Sequence, residues 1–214
     1  FGYAAPLIAV ILVSIGGIYL GVFTPVEASG IGAGLVILLA VASRSIDWSG
    51  FIRAVGDTVR TSAMLYMIVV GANVLNPFLA ITDIPLALGE LLTTFGLGVY
   101  GTLAVILLSY VVLGMFLDGL AMLVVTIPIF FPVVLGLGFD PIWFGVVAVI
   151  VIEMGMITPP VGLNVFVVRT VAEDVPLSSI FAGVVPFLIA MIVTLLLVIL
   201  VPGIALVIPN SMFG

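Results

Sequence analysis

The chain contains no cysteine and no histidine, and its four basic residues are all arginine. The absence of cysteine excludes disulfide bonds and thiolate metal sites. The absence of histidine removes a common zinc ligand and the usual general base of enzymes. With so few cations the chain has no basic surface for phosphate groups, and we expect no nucleic-acid partner.

Charged residues of either sign are also scarce. They make up 7% of the 214 residues, whereas soluble domains have about 25%. Hydrophobic residues account for 64% of the chain, and the mean hydropathy is +1.59. A soluble core could not bury this much apolar surface. The composition therefore predicts an all-α, polytopic membrane protein that lies in a lipid bilayer.

The chain opens inside an apolar stretch, residues 1–20, that has neither the basic segment nor the cleavage site of a signal peptide. Because it does not begin with methionine, we expect it to be part of a longer membrane protein. A span needs about 20 apolar residues. The simplest predicted spans are residues 3–22, 29–42 and 180–201.

Residues 44–60 hold three of the four arginines but keep an apolar helical face. This face consists of Trp48, Phe51, Ile52, Val55 and Val59, which recur at helical spacing. The pattern predicts an amphipathic helix that lies in the membrane interface. An ordinary solvated loop is the alternative.

Residues 61–96 predict a re-entrant helical hairpin rather than two spans. The first limb covers residues 61–75, Asn76 and Pro77 are predicted to end it, and residues 76–85 form the tip. The second limb, residues 85–95, covers only about half the hydrocarbon at ~1.5 Å per residue. Re-entrant backbone is tolerated where protein encloses it or where it lines a cavity.

The apolar stretch over residues 99–135 is interrupted at Asp118 and Gly119. A carboxylate at membrane depth is costly and is a functional candidate by default. Because Gly119 allows the helix to unwind, carbonyl oxygens would join the carboxylate in a set suited to Na⁺ or a proton. The alternative role for Asp118, capping the following helix, is compatible with ion binding.

A second interruption, the double-proline break, lies at residues 158–162 (TPPVG) within the apolar run 142–170. Two adjacent prolines remove two backbone donors, and the freed carbonyls need a polar partner in hydrocarbon. Half-helix ends of this kind coordinate cations or face anionic substrates. A simple proline kink is the alternative.

Other polar residues lie near these interruptions. Glu153 belongs to the same run as the double-proline break and could pair, protonate or face a cavity. Asn73 and Asn76 lie at or near the predicted hairpin tip, and Asn164 follows the double-proline break. Asn76 could supply an amide oxygen to an ion, although Asn-Pro is also a common turn sequence. We expect Asn73 and Asn164 to be candidates for substrate binding.

Five motifs in order resemble the C-terminal half of the large membrane subunit of tripartite ATP-independent periplasmic (TRAP) transporters. They are residues 21–28 (GVFTPVEA), 114–119 (GMFLDG), 126–132 (TIPIFFP), 138–145 (GFDPIWFG) and 153–164 (EMGMITPPVGLN). Each is weak alone, but together they cover nearly the whole chain. The resemblance implies one of two inverted repeats, with a re-entrant hairpin and discontinuous helices.

The resemblance also implies a function. It implies an elevator-type, Na⁺-driven importer of organic acids such as sialic acid or C4-dicarboxylates in the bacterial inner membrane. The implied partners are the N-terminal half of the large subunit, a small four-helix membrane subunit and a soluble periplasmic binding protein. The implied sodium ligands lie at the hairpin tip and the broken helices, namely Asn76, Asp118, Gly119, Thr158, Pro159, Val161 and Gly162.

By the same resemblance, residues 1–60 would be scaffold-like, residues 61–174 would belong to a transport domain, and residues 175–214 would form a C-terminal membrane helix. Two other functions compete with this interpretation. A channel could use Asp118 and Glu153 as a cation or proton relay. An intramembrane enzyme could use the same pair as an aspartyl dyad, but neither residue lies in a protease-like motif.

Overall fold

The computed structural model describes residues 5–213, apart from the side chains at positions 80, 85, 86, 92, 93 and 213. Within this range the chain forms ten helices and no strand. In order they are α1 Ala5–Tyr19, α2 Pro25–Ala42, α3 Trp48–Ile81, α4 Ile84–Thr94, α5 Gly98–Gly114, α6 Gly119–Gly136, α7 Pro141–Ile157, α8 Leu163–Val171, α9 Leu177–Leu200 and α10 Gly203–Phe213. Segments of α2, α3, α6 and α9 are long and apolar enough to cross a membrane. The predicted all-α, polytopic membrane protein is confirmed.

The described residues fall into two compact units. The first consists of the residues up to Ala63 and those from Ile208 onward, and the second is Met64–Val207. In the first unit α1 packs along α2. A capping box starts α2: the Glu27 carboxylate accepts from the Thr24 N–H and hydroxyl, both at 2.8 Å, and the Glu27 N–H donates to the Thr24 hydroxyl at 3.3 Å. With Pro25 in the first helical position, α2 begins earlier than the predicted residue 29.

Helix α3 differs from the prediction because it is continuous from Trp48 to Ile81. Residues 48–60 are helical, so the alternative of a solvated loop is wrong. The prediction that Asn76 and Pro77 end a limb is also wrong. Pro77 removes only the helical hydrogen bond to the Asn73 carbonyl, and a long apolar helix tolerates that single loss. The interfacial position of residues 48–60 stays a prediction.

The turn that follows α3 lies at Thr82 and Asp83, near the end of the predicted hairpin tip. The Thr82 hydroxyl donates to the Phe78 carbonyl at 2.7 Å, at the C-terminal end of α3. Asp83 has a φ of 50°, a left-handed conformation that aspartate adopts more readily than most residues. Helix α4 then has 11 residues, close to the predicted second limb. Its re-entrant position stays a prediction.

The second unit is built on two parallel helices, α5 and α7. At one end the rings of Tyr100 and Phe139 lie 6.0 Å apart, and at the other end Gly114 contacts Gly155. Helix α6 leads from the end of α5 back to the start of α7, so it is antiparallel to both. Helix α4 packs beside α6. The buried core consists of Leu103, Ile106, Leu107, Tyr110, Met122, Val134, Trp143, Phe144, Val147, Ala148, Val151, Ile152 and Val198.

Helix α9 runs antiparallel to α7 and closes this core. Near its start Phe181 packs on Gly162, and near its end the Val198 carbonyl accepts a hydrogen bond from the Trp143 indole at 2.9 Å. The packing therefore places the end of α5, the start of α6 and the end of α7 on the same side of the unit.

Candidate cation-binding site

Asp118 is the N-cap of α6. Residues 115–118, here called the Asp118 break, separate α5 from α6, and Asp118 is extended with a φ of −63° and a ψ of 145°. One of its carboxylate oxygens accepts from the Ala121 N–H at 3.3 Å. Within the described residues its other oxygen has no protein donor. The capping role is therefore present, and it leaves most of the acceptor capacity of a half-buried carboxylate free.

Asp118 opens into a cavity of about 260 Å³ between α6 and α7. Its lining consists of Asp118, Gly119, Leu120, Leu123, Val149, Ile152, Glu153 and Met156. Two of these side chains are carboxylates and none is cationic. A water molecule occupies about 30 Å³ in the liquid, so the space is large enough for a partly hydrated cation.

The start of α6 sits close to α7 because Gly119 has no side chain. A Cβ at this position would lie 3.2 Å from Ile152 Cγ2 and 3.3 Å from Met156 Sδ. Both distances are shorter than an ordinary van der Waals contact. Glycine at position 119 therefore keeps the Asp118 carboxylate next to the last turns of α7.

The double-proline break begins where α7 ends at Ile157. The Thr158 N–H donates to the Gly155 carbonyl at 3.0 Å, and the Thr158 hydroxyl donates to the Met154 carbonyl at 2.5 Å. The helical donor for the Met156 carbonyl would be the N–H of residue 160, which proline lacks. The end of α7 therefore presents a backbone carbonyl without its usual partner, as the sequence predicted.

Gly162 closes the break with a left-handed backbone, φ 61°. A Cβ at this position would lie 3.2 Å from the Thr158 carbonyl oxygen and 3.3 Å from Phe181. Its carbonyl accepts from the N–H groups of Val165 and Phe166 and so starts α8. Both the backbone conformation and the crowding require glycine here.

The structure brings some of the predicted site residues together and leaves others apart. Asp118 and Gly119 lie against the last turns of α7, directly before Thr158. Thr158, Pro159, Val161 and Gly162 do not line the 260 Å³ cavity, although Met156 does. Asn164 lies in the first turn of α8 and is partly buried.

Asn73 and Asn76 both lie within α3. The Asn73 amide donates to the Val69 carbonyl of its own helix at 2.9 Å. The side-chain oxygen of Asn76 is buried and has no donor within the described residues. Within the described residues neither asparagine lines the cavity next to Asp118, so the structure does not bring them to the Asp118 break.

Sequence reasoning missed the residues that assemble this region. Val149, Ile152 and Met156 line the cavity on one face of α7 at helical spacing. Glu153 is the one charged residue of this otherwise apolar helix and lies on the same face, so its helical position could have marked these neighbours. Gly114 and Gly155 each lie close to a break. Small residues in membrane helices favour close packing of two helices, and this property could have indicated the contact between them.

The oxygens near the two breaks carry few formal charges. Among the described residues, no three carboxylates come together as a metal cluster. What remains is one half-buried carboxylate with a free oxygen, a second carboxylate across the cavity and an unpaired backbone carbonyl. Hard oxygens with few formal charges fit Na⁺ or a proton.

Comparison with known proteins identifies the family. The sequence profile described as "Tripartite ATP-independent periplasmic transporter, DctM component" matches residues 2–204. The sialic acid TRAP transporter large permease protein SiaM of Vibrio cholerae is 32% identical over 204 residues, which are 95% of this chain and 48% of that protein. The C4-dicarboxylate large permease protein DctM of Rhodobacter capsulatus is 34% identical over 211 residues, 98% of this chain and 48% of that protein.

A DctM protein of Pseudomonas aeruginosa, also described as a C4-dicarboxylate TRAP transporter large permease, is 32% identical over 200 residues, 93% of this chain and 47% of its own length. The chain thus spans about half the length of the curated relatives it matches. The resemblance seen in the five motifs is confirmed. The chain belongs to the DctM component family of the tripartite ATP-independent periplasmic transporters.

Proposed function

We propose that this chain acts as half of the large permease subunit of a Na⁺-driven TRAP transporter that imports organic acids. The relatives named above are sialic acid and C4-dicarboxylate transporter permeases, which indicates the substrate class. An elevator-type movement of the transport domain, residues 61–174, would carry the substrate across the membrane. The family is one of transporters, which removes the intramembrane enzyme from consideration.

The observation that carries the proposal is the position of two helix breaks on the same side of the α5–α7 pair. The Asp118 break contributes a carboxylate with a free oxygen, and the end of α7 contributes a carbonyl freed by Pro160. A cation that bound between them would stabilise both unpaired groups. Substrate transport would be coupled to Na⁺ if the substrate binds more tightly when this cation is bound.

The proposed partners complete the transporter. They are the N-terminal half of the large subunit, the small four-helix membrane subunit and a soluble periplasmic protein that delivers the organic acid. The chain itself is a multi-pass protein of the bacterial inner membrane. Much of its apolar surface is exposed within the described residues, as expected for contact with lipid and with other membrane segments.

Uptake by the complete transporter in liposomes tests the proposal. With the binding protein and a labelled sialic acid or C4-dicarboxylate outside, an inward Na⁺ gradient should drive accumulation. Replacing Na⁺ by K⁺ on both sides should abolish it. Undiminished uptake in K⁺ would contradict sodium coupling.

A cation- or proton-conducting channel is the second candidate, and one observation favours it: Asp118 and Glu153 line one cavity. Two facing carboxylates could pass a proton between them. A pH gradient across Na⁺-free liposomes without the binding protein distinguishes the two functions. A channel would dissipate the gradient, and Glu153→Gln would slow that flux, whereas the proposed transporter holds the gradient.

A further inference from the structure

Two glycines bring the backbones of α5 and α7 into direct contact. A Cβ on Gly155 would lie 2.8 Å from Gly114 Cα and 2.9 Å from the Val111 carbonyl oxygen. A Cβ on Gly114 would lie 3.0 Å from Gly155 Cα and 3.2 Å from the Ile152 carbonyl oxygen. These neighbours are backbone atoms, which cannot swing aside as a flexible side chain does. Any side chain at either position would force the two helices apart.

Each glycine also lies close to a break. Gly114 is the last residue of α5, and the Asp118 break follows it at once. The Gly155 carbonyl accepts the hydrogen bond from the Thr158 N–H, the first bond of the double-proline break. The contact between Gly114 and Gly155 therefore joins the two breaks through only a few residues of backbone on each side.

We propose that the Gly114–Gly155 contact is a positioning element that sets the spacing between the Asp118 break and the end of α7, and thereby the affinity for the coupling cation. The proposal rests on the sodium coupling proposed above. Ligands contributed by separate segments must be held within about 0.5 Å of their productive geometry. Neither glycine touches the cation; each acts through the helix that it holds in place.

The second unit offers a matched control on the same helix. Gly145 also lies within α7, and a Cβ there would meet nothing within 4 Å. Glycine-to-alanine substitution inside a helix raises helix propensity by a similar amount at either position. A comparison of Gly155→Ala with Gly145→Ala therefore removes the propensity effect and leaves the effect of the helix spacing.

The test measures Na⁺-dependent uptake by the complete transporter in liposomes over a range of Na⁺ concentrations. For Gly155→Ala we expect the half-saturating Na⁺ concentration to rise about tenfold, while the maximal rate at saturating Na⁺ stays near that of the unaltered protein. Gly114→Ala, whose backbone contacts are looser, should show a smaller rise. Gly145→Ala should show none. A merely structural defect would instead lower the uptake rate by the same factor at every Na⁺ concentration and leave the half-saturating concentration unchanged.

The possible outcomes separate this proposal from the proposed function. If the unaltered transporter needs Na⁺ but Gly155→Ala keeps the same half-saturating concentration, the positioning role is wrong and sodium coupling stands. If uptake by the unaltered transporter does not depend on Na⁺, the positioning role and sodium coupling are both wrong. If neither Gly114→Ala nor Gly155→Ala yields folded transporter while Gly145→Ala does, the contact serves folding and the positioning role is also wrong.

Discussion

The indole N–H of Trp143 donates to the carbonyl of Val198, 2.9 Å away across the core of the second unit. The usual helical donor for this carbonyl would be the N–H of residue 202, which is proline. Both Trp143 and Val198 are buried, so no water can replace the bond. The indole therefore satisfies a carbonyl that the end of α9 cannot satisfy for itself.

This bond predicts the effect of Trp143→Phe. The substitution keeps an aromatic ring but leaves the Val198 carbonyl unpaired, and the free energy of unfolding should fall by about 1–3 kcal/mol. Thermal unfolding of the purified permease in detergent would record this as a lower Tm. Trp48→Phe is the control, because Trp48 is 76% exposed. Equal effects of the two substitutions would show that the hydrogen bond adds nothing.

Gly119→Ala should weaken cation binding without unfolding the protein. The new methyl group would meet the flexible end of Met156 and a methyl of Ile152 at 3.2–3.3 Å, and both can yield slightly. The start of α6 would move away from α7, so the half-saturating Na⁺ concentration for uptake should rise about threefold to tenfold.

Gly136→Ala is the control for this substitution. Gly136 ends the same helix, and a Cβ there would meet nothing within 4 Å. We expect its Na⁺ dependence to match that of the unaltered transporter. A shift of equal size in both variants would mean that the contact between Gly119 and α7 does not set the affinity.

Pro160→Ala should also weaken cation binding, for a different reason. Alanine restores an N–H at position 160, the helical donor for the Met156 carbonyl, and a hydrogen bond between them would withdraw that oxygen from a cation. Uptake at limiting Na⁺ should fall. Pro186→Ala provides the control, since Pro186 lies inside α9 and is exposed. Unchanged Na⁺ dependence in Pro160→Ala would remove the freed carbonyl from the proposed site.

The breaks could be predicted because their causes are local. A carboxylate beside Gly119 and two adjacent prolines interrupt a helix whatever surrounds them, and both interruptions occur where the sequence placed them. Pro77 is the contrary case. One proline removes one hydrogen bond, and the apolar residues on both sides of it keep α3 helical to Ile81. Local composition alone does not show whether the loss of one hydrogen bond exceeds the stability that the rest of a long helix provides.

The assembly of the site could not be predicted from the sequence. Glu153 faces the same cavity as Asp118 because α5 and α7 are parallel and α6 returns between their ends. That arrangement depends on contacts such as Gly114 with Gly155, which are far apart in the chain. Asn76 shows the same limit, since this plausible ligand by sequence does not line the cavity that Asp118 and Glu153 share.

The most direct test of the central claim compares two aspartates that both cap helices. Asp140 caps α7 at the opposite end of the unit, where its carboxylate accepts from the N–H groups of Ile142 and Trp143 at 2.8 and 2.9 Å. Asparagine caps helices about as well as aspartate, so Asp118→Asn and Asp140→Asn both keep the cap and remove one charge.

The measurement is Na⁺-driven uptake of the organic acid by the complete transporter in liposomes. If Asp118 binds the coupling cation, Asp118→Asn abolishes the Na⁺-dependent uptake, while Asp140→Asn retains the half-saturating Na⁺ concentration of the unaltered transporter. Full uptake with unchanged Na⁺ dependence in Asp118→Asn would contradict the claim that this break forms part of the sodium site.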